Sequence, residues 1–191
     1  MNYADEFLFK LITEYDNAKN EQVVFKTNQE KAKYISNKLF RKKFRKSKVA
    51  EITQKDIFSK VLMSIEQNIP LHFIVCFGGY KHFWNSSYPK VDFAELFNHV
   101  FFREYFLPIL NVHKPGVVLE YGAEDIVISL MDNFPHKDLI DYAKSFKNLI
   151  QTFSKNIPKN LQIKYISTQE KYDGKKLINT ILEKLPARRE T

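Results

Sequence analysis

The chain has 191 residues, 44% of them hydrophobic and 15% aromatic, with only five glycines and seven prolines. That composition excludes a disordered or linker-rich chain and supplies one packed core. The formal net charge of +8 points to an anionic partner, but seven of the Lys/Arg lie in residues 38–48, KLFRKKFRKSK, and the rest of the chain carries about +1.

No apolar run is long enough to span a bilayer, and MNYADEFLFKLITEYD carries acids where a secretory signal would be basic. The single cysteine, Cys76, cannot form an internal disulfide and falls within an apolar run. A cytoplasmic location is expected.

Helical spacing opens the chain. Phe7, Leu8, Leu11, Ile12 and Tyr15 recur at three- and four-residue intervals over residues 3–18. A second helix starts near Thr27 or Asn28, where Thr-Asn-Gln-Glu supplies capping side chains. It places Ala32, Ile35 and Leu39 on one side and runs into the basic patch. There Phe40 and Phe44 share a face among Arg41, Lys42, Lys43, Arg45 and Lys46. Such a helix suits RNA or a membrane surface, but a solvated helix anchored by two phenylalanines has the same pattern. No RNA-binding motif accompanies the charge, so nucleic acid is an alternative partner and not the favoured one. Thr53 begins a third helix, with Ile57, Val61, Leu62 and Ile65 in register, ending by Asn68-Ile69-Pro70.

The remainder alternates strands and helices. LHFIVCF (71–77) reads as a buried strand. From Asp92 to about His113 the intervals of Phe93, Leu96, Phe97, Val100 and Phe101 give a helix, stopped by Pro115-Gly116. VVLEY and IVISL flank Gly122-Ala123-Glu124-Asp125, which predicts a β-hairpin. A long amphipathic helix follows from Pro135 to about Ser154, with Leu139, Tyr142, Phe146, Leu149 and Phe153 inward. LQIKYIST (161–168) is a strand and LINTILEKL (177–185) a closing helix.

Strands joined by helical crossovers imply a mostly parallel sheet. The expected fold is a single α/β domain with a Rossmann-like, mostly parallel sheet, a β-hairpin and a helical N-terminal lead. Residues 1–52 form the basic lead and 53–191 the core.

Open α/β sheets bind ligands beyond the carboxyl ends of their strands. FGGYKHFWNSSYPKVDFAE (77–95) occupies that place after the first strand. Gly78 and Gly79 allow close backbone approach, Lys81 offers a charge for a phosphate, and His82 an acid or base. Asn85 adds a neutral hydrogen-bonding group. Asp92 and Glu95, three apart, share one side of the next helix. Acids at a helix start are also what capping and the helix dipole favour, so a structural role fits the same spacing. The spacing fits neither GxGxxG nor a Walker A loop, so no cofactor is expected. His99 and His113 lack metal-type spacing, so no metal is expected either.

At this loop the sequence resembles the isocyanide synthase family, the pyoverdine/dityrosine biosynthesis group. An apolar strand ends in Phe77, a loop carries Lys81 and Asn85, and Val91-Asp92-Phe93-Ala94-Glu95 opens a helix. The similarity continues to HKPGVVLEY and the Gly122-Ala123-Glu124-Asp125 turn, covering roughly residues 57–145. Gly78-Gly79-Tyr80 and Val91 stand where the family has prolines. The resemblance implies condensation of an amino acid's α-amine with the ketone of a pentulose phosphate, then fragmentation to an isonitrile. In that reading Lys81 holds the phosphate, and Asp92 and Glu95 move protons. The alternative is a non-catalytic domain of the same fold that binds a metabolite or a protein.

Overall fold

The computed structural model describes residues 23–41, 50–77, 89–123 and 135–167, together with Glu6, Lys176, Asn179, Thr180 and Glu183. The first expected helix, the second arm of the hairpin and most of the closing helix lie outside the described residues. In that closing segment Thr180 Oγ1 donates to the Lys176 carbonyl at 2.8 Å.

Among the described residues seven elements run in the order α1 (Asn28–Leu39), α2 (Glu51–Glu66), β1 (Leu71–Phe77), α3 (Phe93–Leu110), β2 (Val117–Ala123), α4 (His136–Ser154) and β3 (Leu161–Ser167). The three strands form one parallel sheet in the order β1-β2-β3, with α3 and α4 as crossovers. This is the α/β, Rossmann-like arrangement that the alternation of strands and helices implies.

Local chemistry sets the boundaries. Thr27 Oγ1 accepts the Glu30 amide at 3.1 Å, and Glu30 Oε2 accepts the Lys26 amide at 2.8 Å, which starts α1. Asn68 ends α2 in the left-handed region, φ 54°. Its amide donates to Ile65 O, and the Ile69 amide reaches back to Ser64 O at 3.0 Å. That pair of bonds is a Schellman ending, in which asparagine stands where glycine is commonest.

Several elements depart from expectation. α1 stops at Leu39, with Phe40 as its C-cap, so the helix takes in only the first two residues, Lys38 and Leu39, of the basic run. β2 continues through Gly122 and Ala123, which are therefore strand and not turn. Ala123 is buried there, and a Cβ at Gly122 would meet the Ile74 side chain at 3.7 Å and the Val75 carbonyl oxygen at 3.9 Å, both ordinary contact distances. β1 departs as well, in burial. Leu71 is buried, but His72, Ile74 and Cys76 are exposed, because a strand at the end of the order has one described neighbour.

The chain divides into two compact units, and every strand and both crossover helices contribute to each. The first comprises Met1–Phe73, Phe97–Val118 and Thr152–Gln162. Its core draws Ala32, Ile35 and Leu39 from α1, Val61 and Ile65 from α2, and Phe106, Ile109 and Leu110 from α3. Val117, Phe153 and Leu161 complete it. Gly116 is fixed by geometry: its φ is 80°, and a Cβ would stand 1.8 Å from the Asn160 carbonyl oxygen.

The second unit comprises Ile74–Leu96, Leu119–Gln151 and Ile163–Thr191. It holds the carboxyl ends of all three strands and the start of both crossover helices. Phe146, fully buried, sits 5.1 Å from the Tyr121 ring and 5.3 Å from the Tyr165 ring.

Along α3 the buried positions are not the expected ones. Leu96 is buried, but Phe93, Phe97 and Phe101 are 47%, 51% and 41% exposed. Glu95, His99 and Arg103, at four-residue intervals, are buried instead. The helix is apolar nearly all round, so its periodicity cannot select the inward face. Polar contacts help to select it.

Candidate functional site

The candidate site lies in the second unit, where the chain leaves the loop after β1 and enters α3. Asp92 Oδ1 accepts the Ala94 amide at 2.8 Å, and the Asp92 amide donates to Glu95 Oε2 at 2.8 Å. These two bonds cap the helix start: Glu95 supplies the backward arm of a capping box, and the Asp92 carboxylate takes the Ala94 amide. They explain the three-residue spacing without chemistry.

The glutamate has a further contact that capping does not require. Glu95 Oε1 accepts the Tyr142 hydroxyl from α4 at 2.9 Å. Glu95 is 3% exposed and Tyr142 is 5% exposed. One turn along α4, Ser145 Oγ accepts the Val91 amide at 3.1 Å. Tyr142 and Ser145 therefore grip the two sides of the cap, at Glu95 and at Val91. Sequence periodicity marks Tyr142 only as a core residue and gives Ser145 no role. The signal that separates them is their three-residue spacing on one face, opposite the Val-Asp-x-x-Glu start.

This constellation joins Asp92 and Glu95 of the expected set. Gly78, Gly79, Lys81, His82 and Asn85 lie outside the described residues, as do Trp84, Glu124 and Asp125. So do Lys42, Lys43, Arg45 and Lys46 of the basic patch.

Arg41, the described member of that patch, is turned to structure in the first unit. Its Nε donates to Lys38 O at 2.9 Å and its Nη2 to Tyr105 O at 2.8 Å. The Tyr105 hydroxyl donates in turn to Leu39 O at 2.6 Å, and the guanidinium lies 5.9 Å from the Tyr105 ring. A guanidinium that donates to two backbone carbonyls is a tie between α1 and α3.

The histidines divide by burial. His72 is exposed on β1. His99 is fully buried, its ring 5.3 Å from Phe153, and burial pushes its pKa down to about 4. Burial likewise pushes the Tyr121 phenol well above its ordinary value. Arg103 Nη1 stands 3.6 Å from Glu104 Oε1. Among the described residues no three His, Cys, Asp or Glu side chains are grouped to hold a metal ion. No described helix is long and apolar enough to cross a membrane.

The chain matches no protein-family model, and neither a curated protein nor a solved structure is similar to it. The class defined by fold and site is a parallel α/β protein with a buried, doubly hydrogen-bonded carboxylate at a helix start.

Proposed function

We propose that the protein is a small-molecule biosynthetic enzyme working beyond the carboxyl end of β1, with chemistry resembling that of isocyanide synthases. The observation that carries this reading is Glu95: a carboxylate sealed from water at the start of α3, held by the Asp92 amide and the Tyr142 hydroxyl. Parallel α/β sheets gather ligands at this end. Fixed donors around a carboxylate are the preorganisation that proton transfer needs. In the reaction an amino-acid amine adds to the ketone of a sugar phosphate and water leaves, giving an imine. Glu95 and Asp92 act as the acid/base pair and Lys81 takes the phosphate.

The test is incubation of the protein with free amino acids and ribulose 5-phosphate, with isonitrile product sought by mass spectrometry. Product from the parent chain, lost in Lys81→Ala and Glu95→Gln, is the expected result. No product and no shift of melting temperature with either compound overturns the reading.

A second reading is favoured by one observation: in the first unit α3 presents two half-exposed phenylalanines one turn apart, Phe97 and Phe101. A non-catalytic domain that binds a protein would use such a stripe. It predicts that Lys81→Ala and Asp92→Ala leave the cellular role intact while Phe97→Ser abolishes it.

A further inference from the structure

His113 ties four segments of the first unit through one residue. Its amide donates to Ile109 O at 2.8 Å, at the end of α3. Its carbonyl accepts the Gly116 amide at 2.8 Å, at the entry to β2, and Asn160 Nδ2 at 3.4 Å, ahead of β3. Its ring Nε2 lies 2.9 Å from Ile69 O, in the turn from α2 into β1. The residue is 1% exposed.

The protonation state follows from the partner. A carbonyl only accepts, so Nε2 carries the proton and a neutral ring leaves Nδ1 a bare lone pair. Nδ1 is buried with no hydrogen-bond partner. A proton arriving there makes a buried cation whose new N–H has no acceptor. The charged groups bearing on the site are lysines. Lys31 of α1 acts on the ring, and Lys31 is itself lowered by burial and by Lys114. Burial, opposed by the Ile69 bond and reinforced by Lys31, keeps the imidazole below its ordinary pKa.

We propose that His113 is an acid-sensitive latch: neutral, it holds the α2–β1 turn to the α3–β2 turn, and on protonation the ring swings out to hydrate Nδ1–H and releases Ile69. The neighbouring bond from the Leu71 amide to Gly116 O, 3.0 Å, joins the same two turns and opens with it. The open form binds the proton more tightly. Its population therefore grows as pH falls below the ordinary histidine value of 6.5 and levels off below the folded value.

The experiment is amide hydrogen exchange at Leu71, Gly116 and Val117 between pH 7.5 and 5, corrected for intrinsic rates, alongside an NMR titration of the His113 ring. Protection at the three amides is expected to fall, by up to about tenfold for each pH unit, from about pH 6.5 down to the midpoint of the ring titration, and to level off below it. In His113→Gln, whose amide reaches Ile69 but takes no proton, protection stays flat. His99→Gln keeps the parent response. Equal loss in the parent and His113→Gln overturns the latch. Should that variant not fold, protection in the parent that stays flat between about pH 6.5 and the midpoint of the ring titration, or that keeps falling at the same rate below that midpoint, overturns it equally.

Discussion

The Tyr142 hydroxyl and Glu95 Oε1 meet at 2.9 Å with both residues almost sealed from water. A buried carboxylate must keep its donors, because an unmade bond to a charged group costs its full desolvation. Tyr142→Phe removes one donor and leaves the rest of the packing in place. It is expected to lower stability by about 1.5–3 kcal/mol, measured by urea denaturation. Glu95→Gln in the Tyr142→Phe background should recover part of that loss. A change below about 0.5 kcal/mol in Tyr142→Phe would show that the pair does not form.

Gly116 and Gly122 make a matched contrast. At Gly116 an added Cβ would stand 1.8 Å from the Asn160 oxygen, on a backbone with φ 80°. That oxygen accepts the Val117 amide at 2.9 Å and cannot retreat cheaply. Gly116→Ala should therefore cost more than about 3 kcal/mol, beyond the usual range for surface changes. At Gly122 the added methyl meets Ile74 Cγ2 at 3.7 Å. Gly122→Ala should stay within about 1 kcal/mol of the parent, with a gain from the stiffer unfolded chain. Thermal melts of the two variants decide it.

Arg41 belongs to the basic run in sequence and to the α1–α3 tie in structure. Its two bonds to Lys38 O and Tyr105 O make it a stability residue. Arg41→Ala should cost about 1–3 kcal/mol, and Arg41→Lys should recover little, since an ammonium lacks the fork that reaches both carbonyls. If Arg41→Ala instead leaves stability unchanged and alters salt-dependent RNA binding, the side chain faces an anion and not Tyr105.

The strands and crossovers were legible because their patterns differ in period. β1 matches LHFIVCF residue for residue, and α4 buries Leu139, Tyr142, Phe146 and Phe153 as its spacing predicts, though Leu149 is half-buried and Ile150 is buried beside it. The inward face of α3 was not legible. Five phenylalanines between Phe93 and Phe106 make both faces apolar, and the buried Glu95 follows from a partner 47 residues away. The site was half legible. Asp-x-x-Glu announces a helix start from local sequence, but the Tyr142 and Ser145 contacts depend on tertiary placement.

Cys76 shows how an apolar run can mislead. Read as part of a buried strand, its thiol should be inert. In the structure β1 alternates, and Cys76 is on the exposed side with His72 and Ile74. The native protein should therefore react with a thiol reagent such as DTNB, one equivalent per chain, before any denaturant is added. Reaction that appears only on unfolding would mean that this side of β1 is covered.

His99 gives the chain a dependence on pH that can be signed in advance. Burial holds the folded pKa at about 4, below the ordinary 6.5 of the unfolded chain. Between those values the unfolded chain binds a proton that the folded chain refuses. Stability is thus complete above pH 6.5 and falls as pH drops toward 4, by up to about 3 kcal/mol from this residue. Carboxylates also titrate in acid, so the informative quantity is the difference between the parent and His99→Gln. Urea midpoints at pH 7.5, 6, 5 and 4.5 should fall more steeply for the parent. Parallel slopes would mean that the His99 ring reaches water and titrates at its ordinary value.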